Sequence, residues 1–419
     1  MAKLRTDPPT ARHPGARRQR RVLHRVHTPC YGYGLFNSYY RKRQTMNFTV
    51  DRDLLIDVLT GIQGVAERRH TMPVLSHALM TIGGGNLTVV SSDLEIVVRC
   101  LQPIAAGEPG SIALPARKLL DIAKVLPKES TVSVVGKEGN YVEISSGRSH
   151  FRLAGLPSQE FPEMPEKPSG KTVSIDGDTF RKLSERVVPF ASSDETRYNL
   201  AGILLERAET ESGSMLRMVA TDGHRLAMAD GEVGNIGELL ASRKILVPKK
   251  GILEIRKLAE SGPGSIELSA SEKFLFAAKG DTEVWVRLLD ADFPDYRQVI
   301  PKENLLTATV ARDAFAEVLR RVAVMAPDKV HSVKLSFSGK QLEVSSISPD
   351  QGEARDLLES EYEGPAMKIG FNGRYLQDAV SGVSEEKMVL QLKDEVSQVI
   401  LRPEKERNYL AIVMPMRIY

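Results

Sequence analysis

Two cysteines, Cys30 and Cys100, are all that 419 residues contain. They have neither the number for a disulfide framework nor the spacing for a zinc site, and they fit a reducing compartment. No apolar run approaches the ~18–20 residues a membrane span needs. Nothing in the sequence is built to cross a bilayer. A Walker loop, a GxGxxG following a strand and an HExxH pair are all absent, so common nucleotide and metal-hydrolase chemistries find no motif. No cofactor and no metal is expected. What is present is an ordinary globular balance, 42% hydrophobic and 26% charged. At ~100–200 residues per domain the length predicts two to four domains.

The net charge of +3 conceals a division. Residues 1–45 hold nine arginines and two lysines against one acid, Asp7, which is +10; the rest holds 46 bases and 53 acids, which is −7. An acidic body does not cling to nucleic acid unless its bases are concentrated locally, because phosphate neutralisation supplies most non-specific affinity. The arm itself, residues 1–45, has four prolines, a YGYGLFNSYY patch and no helical periodicity, and reads as a disordered extension. Its Arg-rich, acid-poor composition also fits a targeting segment or a DNA-binding arm.

Beyond the arm the chain repeats itself. FTVDRDLLIDVL from Phe48, VSIDGDTFRKLS from Val173 and ATVARDAFAEVL from Ala308 align without gaps, each a short strand followed by a helix pattern. An aspartate recurs in register, at Asp53, Asp178 and Asp313, where a helix N-terminus favours negative charge. A second set follows: IALPARKLLDI from Ile112, ILVPKKGILEI from Ile245 and, more loosely, KIGFNGRYLQD from Lys368. In the first two the proline is expected to open the helix, where its missing N–H costs nothing. The fold class is therefore α+β, with three tandem units of similar length, each a pair of strand-helix-strands halves. Pro/Gly-rich punctuation at 157–170 and 293–304, with an FP pair in each, places the units at 46–166, 171–296 and 303–419.

The helical segments carry the local charge. Residues 115–128, 180–188, 249–260 and 312–325 together hold fourteen bases, among them Arg117, Lys249 and Lys250, against six acids. Lys and Arg are good helix formers on solvated faces, yet four related helices sharing the bias points to a polyanion. TDGHRLA (221–227) brings Asp222 close to His224, but one histidine with one aspartate supplies neither a third metal ligand nor a nucleophile. The repeat-equivalent SSDLEIV keeps Asp93 and has no histidine. An enzyme is not expected. The C-terminal AIVMPMRIY is either a final core strand or an adaptable Met-lined groove for partner peptides.

Taken together, MNFTVDRDLLIDVL, MPVLSHALM, LPARKLLDIAKVLP, SGRSHF, TDGHRLA, FPDYRQVIPK and VMPMRI closely resemble the bacterial DNA polymerase III beta subunit, the sliding-clamp family, over residues 46–419. The resemblance implies three DNA-clamp (processivity-fold) domains per chain and a homodimeric, head-to-tail ring, with helices lining the hole and sheets outside. It implies a cytoplasmic, non-catalytic factor that encircles duplex DNA without sequence preference. Its partners would be the replicative DNA polymerase, the clamp loader, repair polymerases and mismatch-repair proteins, and no membrane. By position in the family's motifs, Arg69, Arg117, Tyr198, Lys249 and Lys250 would contact DNA. The partner-peptide pocket would comprise Leu200, Thr221, Gly223, His224, Arg225, Leu226, Pro294, Val299, Val413, Met414, Pro415, Met416 and Arg417, with Arg225 and Arg417 on its polar rim. The ring interface would pair Lys118, Phe151 and Leu153 with Val324 and Met325 of a second chain. Asn199, Asp194 and Gln298 depart from the residues the family's pattern leads one to expect, and Tyr419 extends its usual end by one. Two competing readings are an enzyme of nucleic-acid metabolism using Asp222 and His224, and a sequence-specific DNA-binding protein using the basic arm.

Overall fold

The computed structural model describes residues 46–66, 72–194, 196–210, 213–240, 244–301, 306–326 and 331–417. Seven α-helices are present among them: α1 (Arg52–Ile62), α2 (Ala116–Val125), α3 (Gly177–Val187), α4 (Ile236–Leu240), α5 (Lys249–Glu260), α6 (Arg312–Ala323) and α7 (Gly373–Ser381). The first-half helices of the repeat bury one face at the same spacing: Leu55, Val58, Leu59 and Ile62 in α1, Phe180, Leu183, Ser184 and Val187 in α3, Phe315, Val318, Leu319 and Val322 in α6. Those positions, i, i+3, i+4 and i+7, form the stripe of an amphipathic helix. Each large apolar side chain so buried stabilises the fold by ~1.5–3 kcal/mol. Within the units α1 packs on α2, α3 on α5, and α6 on α7.

The recurring aspartates do lie in the first turns, but they are not the caps. Asp51 accepts from the N–H groups of Asp53 and Leu54 at 2.8 and 3.2 Å, and Asp176 accepts from Thr179 at 2.9 Å. In the third copy Ala311 stands at the cap and offers no side-chain bond. Pro115 and Pro248 occupy the cap position rather than the first helical residue, so they shape the entry to α2 and α5 instead of opening them.

Each half is a strand, a helix and three strands, and the leading strand crosses to the other half's sheet. Asn47–Asp51 pairs with Thr131–Lys137 of the second half, while Gly110–Pro115 pairs with His77–Gly83 of the first. The same exchange occurs in the other two units. The halves of a unit are thereby interlocked.

The units are joined edge to edge. Ile96–Pro103, from the first half of unit one, pairs antiparallel with Thr282–Arg287, from the second half of unit two. Arg225–Glu232 of unit two pairs in the same manner with Tyr409–Val413 of unit three. Two fused sheets of eight and nine strands result, leaving a five-stranded sheet in unit one and a four-stranded sheet in unit three. Helices cover one face of this continuous wall, over a single extended apolar core. On the other face each junction has a small core of its own under a linker strap. Phe161 and Met164 lie against Val97, Phe276 and Trp285 at the first junction; Phe293, Tyr296 and Ile300 lie against Leu226, Leu246 and Ile412 at the second. The repeated FP pair marks these two straps.

Candidate functional site

At the second junction the turn between Gly213–Thr221 and Arg225–Glu232 meets the C-terminal tail. Asp222 closes the turn by accepting from the N–H groups of His224 and Arg225 at 2.9 and 3.1 Å. Gly223 adopts φ +89°, which a side chain would strain, and a Cβ there would sit 3.2 Å from the Arg197 guanidinium. Val413 ends the last strand opposite Arg225 and is fully buried. Past it the tail stays tied: the Met414 N–H donates to the His224 carbonyl at 2.9 Å, and the Met416 N–H to the Gly370 carbonyl of unit three at 2.8 Å. The tail thus changes from buried to exposed within two residues. Val413 is core strand, whereas Met414 is 42% exposed.

The anticipated pocket residues divide into floor and surface. Leu200, Thr221, Leu226 and Val413 are buried; Gly223, His224, Pro294, Val299, Met414 and Arg417 are exposed, with Pro415 and Met416 between. Pro294 and Val299 come from the strap. Gln298, in place of the expected arginine, is engaged locally with Asp295 at 3.1 Å.

Arg225 is not on the rim. Its side chain is only 11% exposed, with Nε 3.0 Å from Asp222, one terminal nitrogen on Asp378 of α7, and the other 2.6 Å from the Pro189 carbonyl. The guanidinium also stacks on Tyr375 and Phe190, at 4.2 and 5.0 Å from the ring centroids. It is a tie between units two and three, because a buried fork of donors needs its acceptors on several sides at once. Beside it a cavity of 400 Å³ opens between Ser192, Arg197, His224, Lys249 and Tyr375. Arg197, Tyr375 and Asp378 were missed by the sequence reading. Arg197 directly precedes Tyr198, which the resemblance had singled out, whereas Asp378 carries no local signal.

The expected DNA contacts are differently placed. Tyr198 is 67% exposed, and Arg117 and Lys118 are exposed on α2. Lys249 is half-buried, 3.4 Å from the Ala191 carbonyl, and burial together with the nearby Arg225 charge lowers its pKa. Lys250 lies 2.5 Å from the Asp93 carboxylate of unit one, so it already ties two units. Arg69, Tyr419 and the arm, 1–45, fall outside the described residues.

Two of the sheet-edge strands are the repeat equivalents of those that pair at the junctions: Ser149–Ala154, the last strand of unit one, and Gly352–Glu359, which closes the first-half sheet of unit three. Phe151 and Leu153 are half-buried on the first. Near the second stand Ile347 and Leu357, 57% and 50% exposed, and Val324, 76% exposed, beside half-buried Met325. The family resemblance pointed to Val324 and not to Ile347 and Leu357, whose alternating pattern reads as an ordinary two-faced strand. Among the described residues no cluster of three or more His, Cys, Asp or Glu could hold a metal, and no helix is long and apolar enough to cross a membrane.

A unit of two interlocked half-sheets and two helices, repeated three times with an open edge at either end, is the architecture of a DNA-clamp protein. Models of the N-terminal, central and C-terminal domains of the DNA polymerase III beta subunit match residues 46–165, 174–295 and 297–417 in that order. The chain belongs to the DNA polymerase III beta subunit family. It is 34% identical over 374 residues to the beta sliding clamp of Pseudomonas putida and 33% to that of Escherichia coli, in each case over 89% of this chain and all of the relative. Among solved structures, the beta sliding clamp of C. crescentus superposes with a TM-score of 0.85 at 30% identity, covering 90% of this chain and 100% of that one. The Pseudomonas aeruginosa sliding clamp bound to griselimycin gives 0.81 at 33%, covering 89% and 100%.

Proposed function

We propose that two copies of this chain close head to tail into a ring around duplex DNA, and that the groove at the second junction docks short linear motifs of the replicative polymerase, the clamp loader and repair proteins. The role that goes with the family is that of a DNA sliding clamp, a non-catalytic processivity factor; neither an Asp222/His224 enzyme nor a sequence-specific reader is supported. The ring would work in the bacterial cytoplasm, at the nucleoid.

The observation that carries the ring is the pair of open edges. At both junctions within the chain, the outer strand of one unit's first-half sheet pairs with the outer strand of the next unit's second-half sheet. The two strands left over, Gly352–Glu359 and Ser149–Ala154, are the missing members of a third such pair. Carrying the first junction's register across by repeat position sets Phe151 opposite Ala354 of the second copy and Arg152 opposite its Glu353. Opposite charges across a strand pair favour that register. Lys118, Phe151, Leu153, Val324 and Met325 belong to this interface, joined by Ile347 and Leu357. A head-to-tail contact of this kind closes on itself when the steps complete a rotation, and six similar units do so.

Inside the ring, Arg117, Tyr198, Lys249 and Lys250 would meet phosphates, with Arg69 added from outside the described residues. Backbone contacts without base readout hold the duplex while letting it slide. Lys249 and Lys250 would exchange their present partners for phosphate oxygens.

In the groove, Leu200, Leu226 and Val413 form an apolar floor, and Pro294, Val299, Met414, Pro415 and Met416 form walls that an inserted apolar side chain could fill. Gly223, His224 and Arg417 present polar groups at its edge, while buried Thr221 holds the turn beneath them through its hydroxyl. Replacing Met414 and Met416 together by alanine is expected to cost roughly 2–4 kcal/mol toward a peptide carrying the replicative polymerase's clamp-binding motif. Titration calorimetry decides it. Unchanged affinity would place the partner site elsewhere.

A further inference from the structure

The strap that supplies Pro294 and Val299 rests on the junction core through Phe293, Tyr296 and Ile300, but it is not packed on every side. Along residues 288–297 opens a cavity of 880 Å³, lined also by Leu204, Lys244, Leu246 and Lys273. A segment bordering a space of that size is positioned by its tethers as well as by packing. At its start the Leu289 N–H donates to the Leu246 carbonyl at 2.9 Å. At its end, next to the pocket, the tether is ionic and buried.

Glu206 projects from the strand Gly202–Thr210 with its side chain 3% exposed. Its Oε1 accepts from the Tyr296 hydroxyl at 2.5 Å and from Arg297 at 2.7 Å, and Lys244 approaches Oε2 at 3.3 Å. The Tyr296 oxygen lies 3.5 Å from Arg217, whose fork grips buried Asp230 at 2.7 and 2.6 Å. Burial by itself would raise the Glu206 carboxyl; the Tyr296 hydroxyl and the Arg297 and Lys244 charges outweigh it and hold the group below the usual carboxylate range. Burial, then Glu206, push the Tyr296 phenol up to about 12, so it keeps the proton it donates. A buried charge of this kind is a poor source of stability compared with apolar packing, but it fixes one geometry where an apolar contact tolerates several.

We propose that Glu206 is a positioning residue for partner recognition: through Tyr296 and Arg297 it locks the strap so that Pro294 and Val299 stand ready as one wall of the groove. The proposal rests on the pocket reading above. Val299 lies three positions after Tyr296, and a single 3₁₀ turn, Tyr296–Val299, carries the constraint across. Val299 is further held by Gln398 of unit three, which donates to its carbonyl at 3.1 Å. A wall already in place spares the partner the cost of ordering it.

The test uses the full chain as dimer, with the polymerase motif peptide as probe. Glu206→Gln and Tyr296→Phe should each weaken the peptide about tenfold, and the double variant should lose little more than either alone, since both break one tether. Arg297→Ala, which removes a half-exposed side chain and leaves the buried pair intact, should weaken it less. In methyl-labelled protein the Val299 resonances should shift in Glu206→Gln while those of Leu200 and Val413 stay in place, a signature that general loss of stability would not give. Wild-type affinity in both buried variants, while the Met414/Met416 double variant still weakens binding, would overturn the proposal and spare the pocket. If the Met414/Met416 variant binds normally, it is the pocket reading that fails. Strictly additive losses with no Val299 shift would also count against a shared tether.

Discussion

Val324→Asp isolates the ring interface from the fold of the single chain. Val324 follows the last turn of α6 and is 76% exposed in one chain, so the substitution removes almost no intrachain packing. Buried by a second copy, a valine contributes ~1.5–3 kcal/mol, and an aspartate in its place adds a desolvation cost of a similar size or more. Each interface then loses ~3–5 kcal/mol. A two-chain ring contains the residue twice, so the assembly loses ~6–10 kcal/mol and the dissociation constant rises by at least ~10⁴-fold. Sedimentation equilibrium over a concentration series measures this directly, with thermal melting of the monomer as the control for folding. A Val324→Asp protein that dimerises with wild-type affinity would refute the placement of this interface and the repeat argument behind it.

Two further outcomes follow from the same structure. Because the folded-state pKa of Tyr296 is raised to about 12, its hydrogen-bonded form contributes fully below the ordinary tyrosine value near ~10, and that contribution is lost as pH rises through 12. Denaturant melts of wild type between pH 10 and 12 should fall more steeply than those of Tyr296→Phe, and parallel profiles would show that the phenol is not tethered. Removing residues 1–45, which carry +10, should leave dimerisation and thermal stability unchanged and lower only salt-sensitive, non-specific DNA affinity; a truncated chain that fails to dimerise would make the arm structural.

The sequence made the three units legible because each helix repeats its buried positions, so Leu55, Phe180 and Phe315 fall in one register, and the aspartates of the first turns fall beside them. It also located the tail, since an apolar stretch at a terminus has to dock. The exchange of leading strands was hidden: a period of two says which residues face inward and not which strand lies alongside. The same holds for the fused sheets, where Val97 meets Trp285 from the next unit. Arg225 looked like a rim residue because its acceptor, Asp378, lies 153 positions away. Glu206 drew no notice in the sequence, because its partner Tyr296 lies 90 positions away and is brought back only by the strap. Lys250 read as a free base until Asp93 of the preceding unit was placed beside it.

In the proposed ring, DNA is held by topology and not by affinity. Residues 46–419, loaded on a nicked circular duplex and challenged with high salt, should remain bound while the circle is closed to sliding off, and should be released when the circle is cut to a linear form. Short linear duplexes should bind weakly and lose binding steeply with salt, because only scattered phosphate contacts remain. Equal loss from intact and linearised circles would contradict the account.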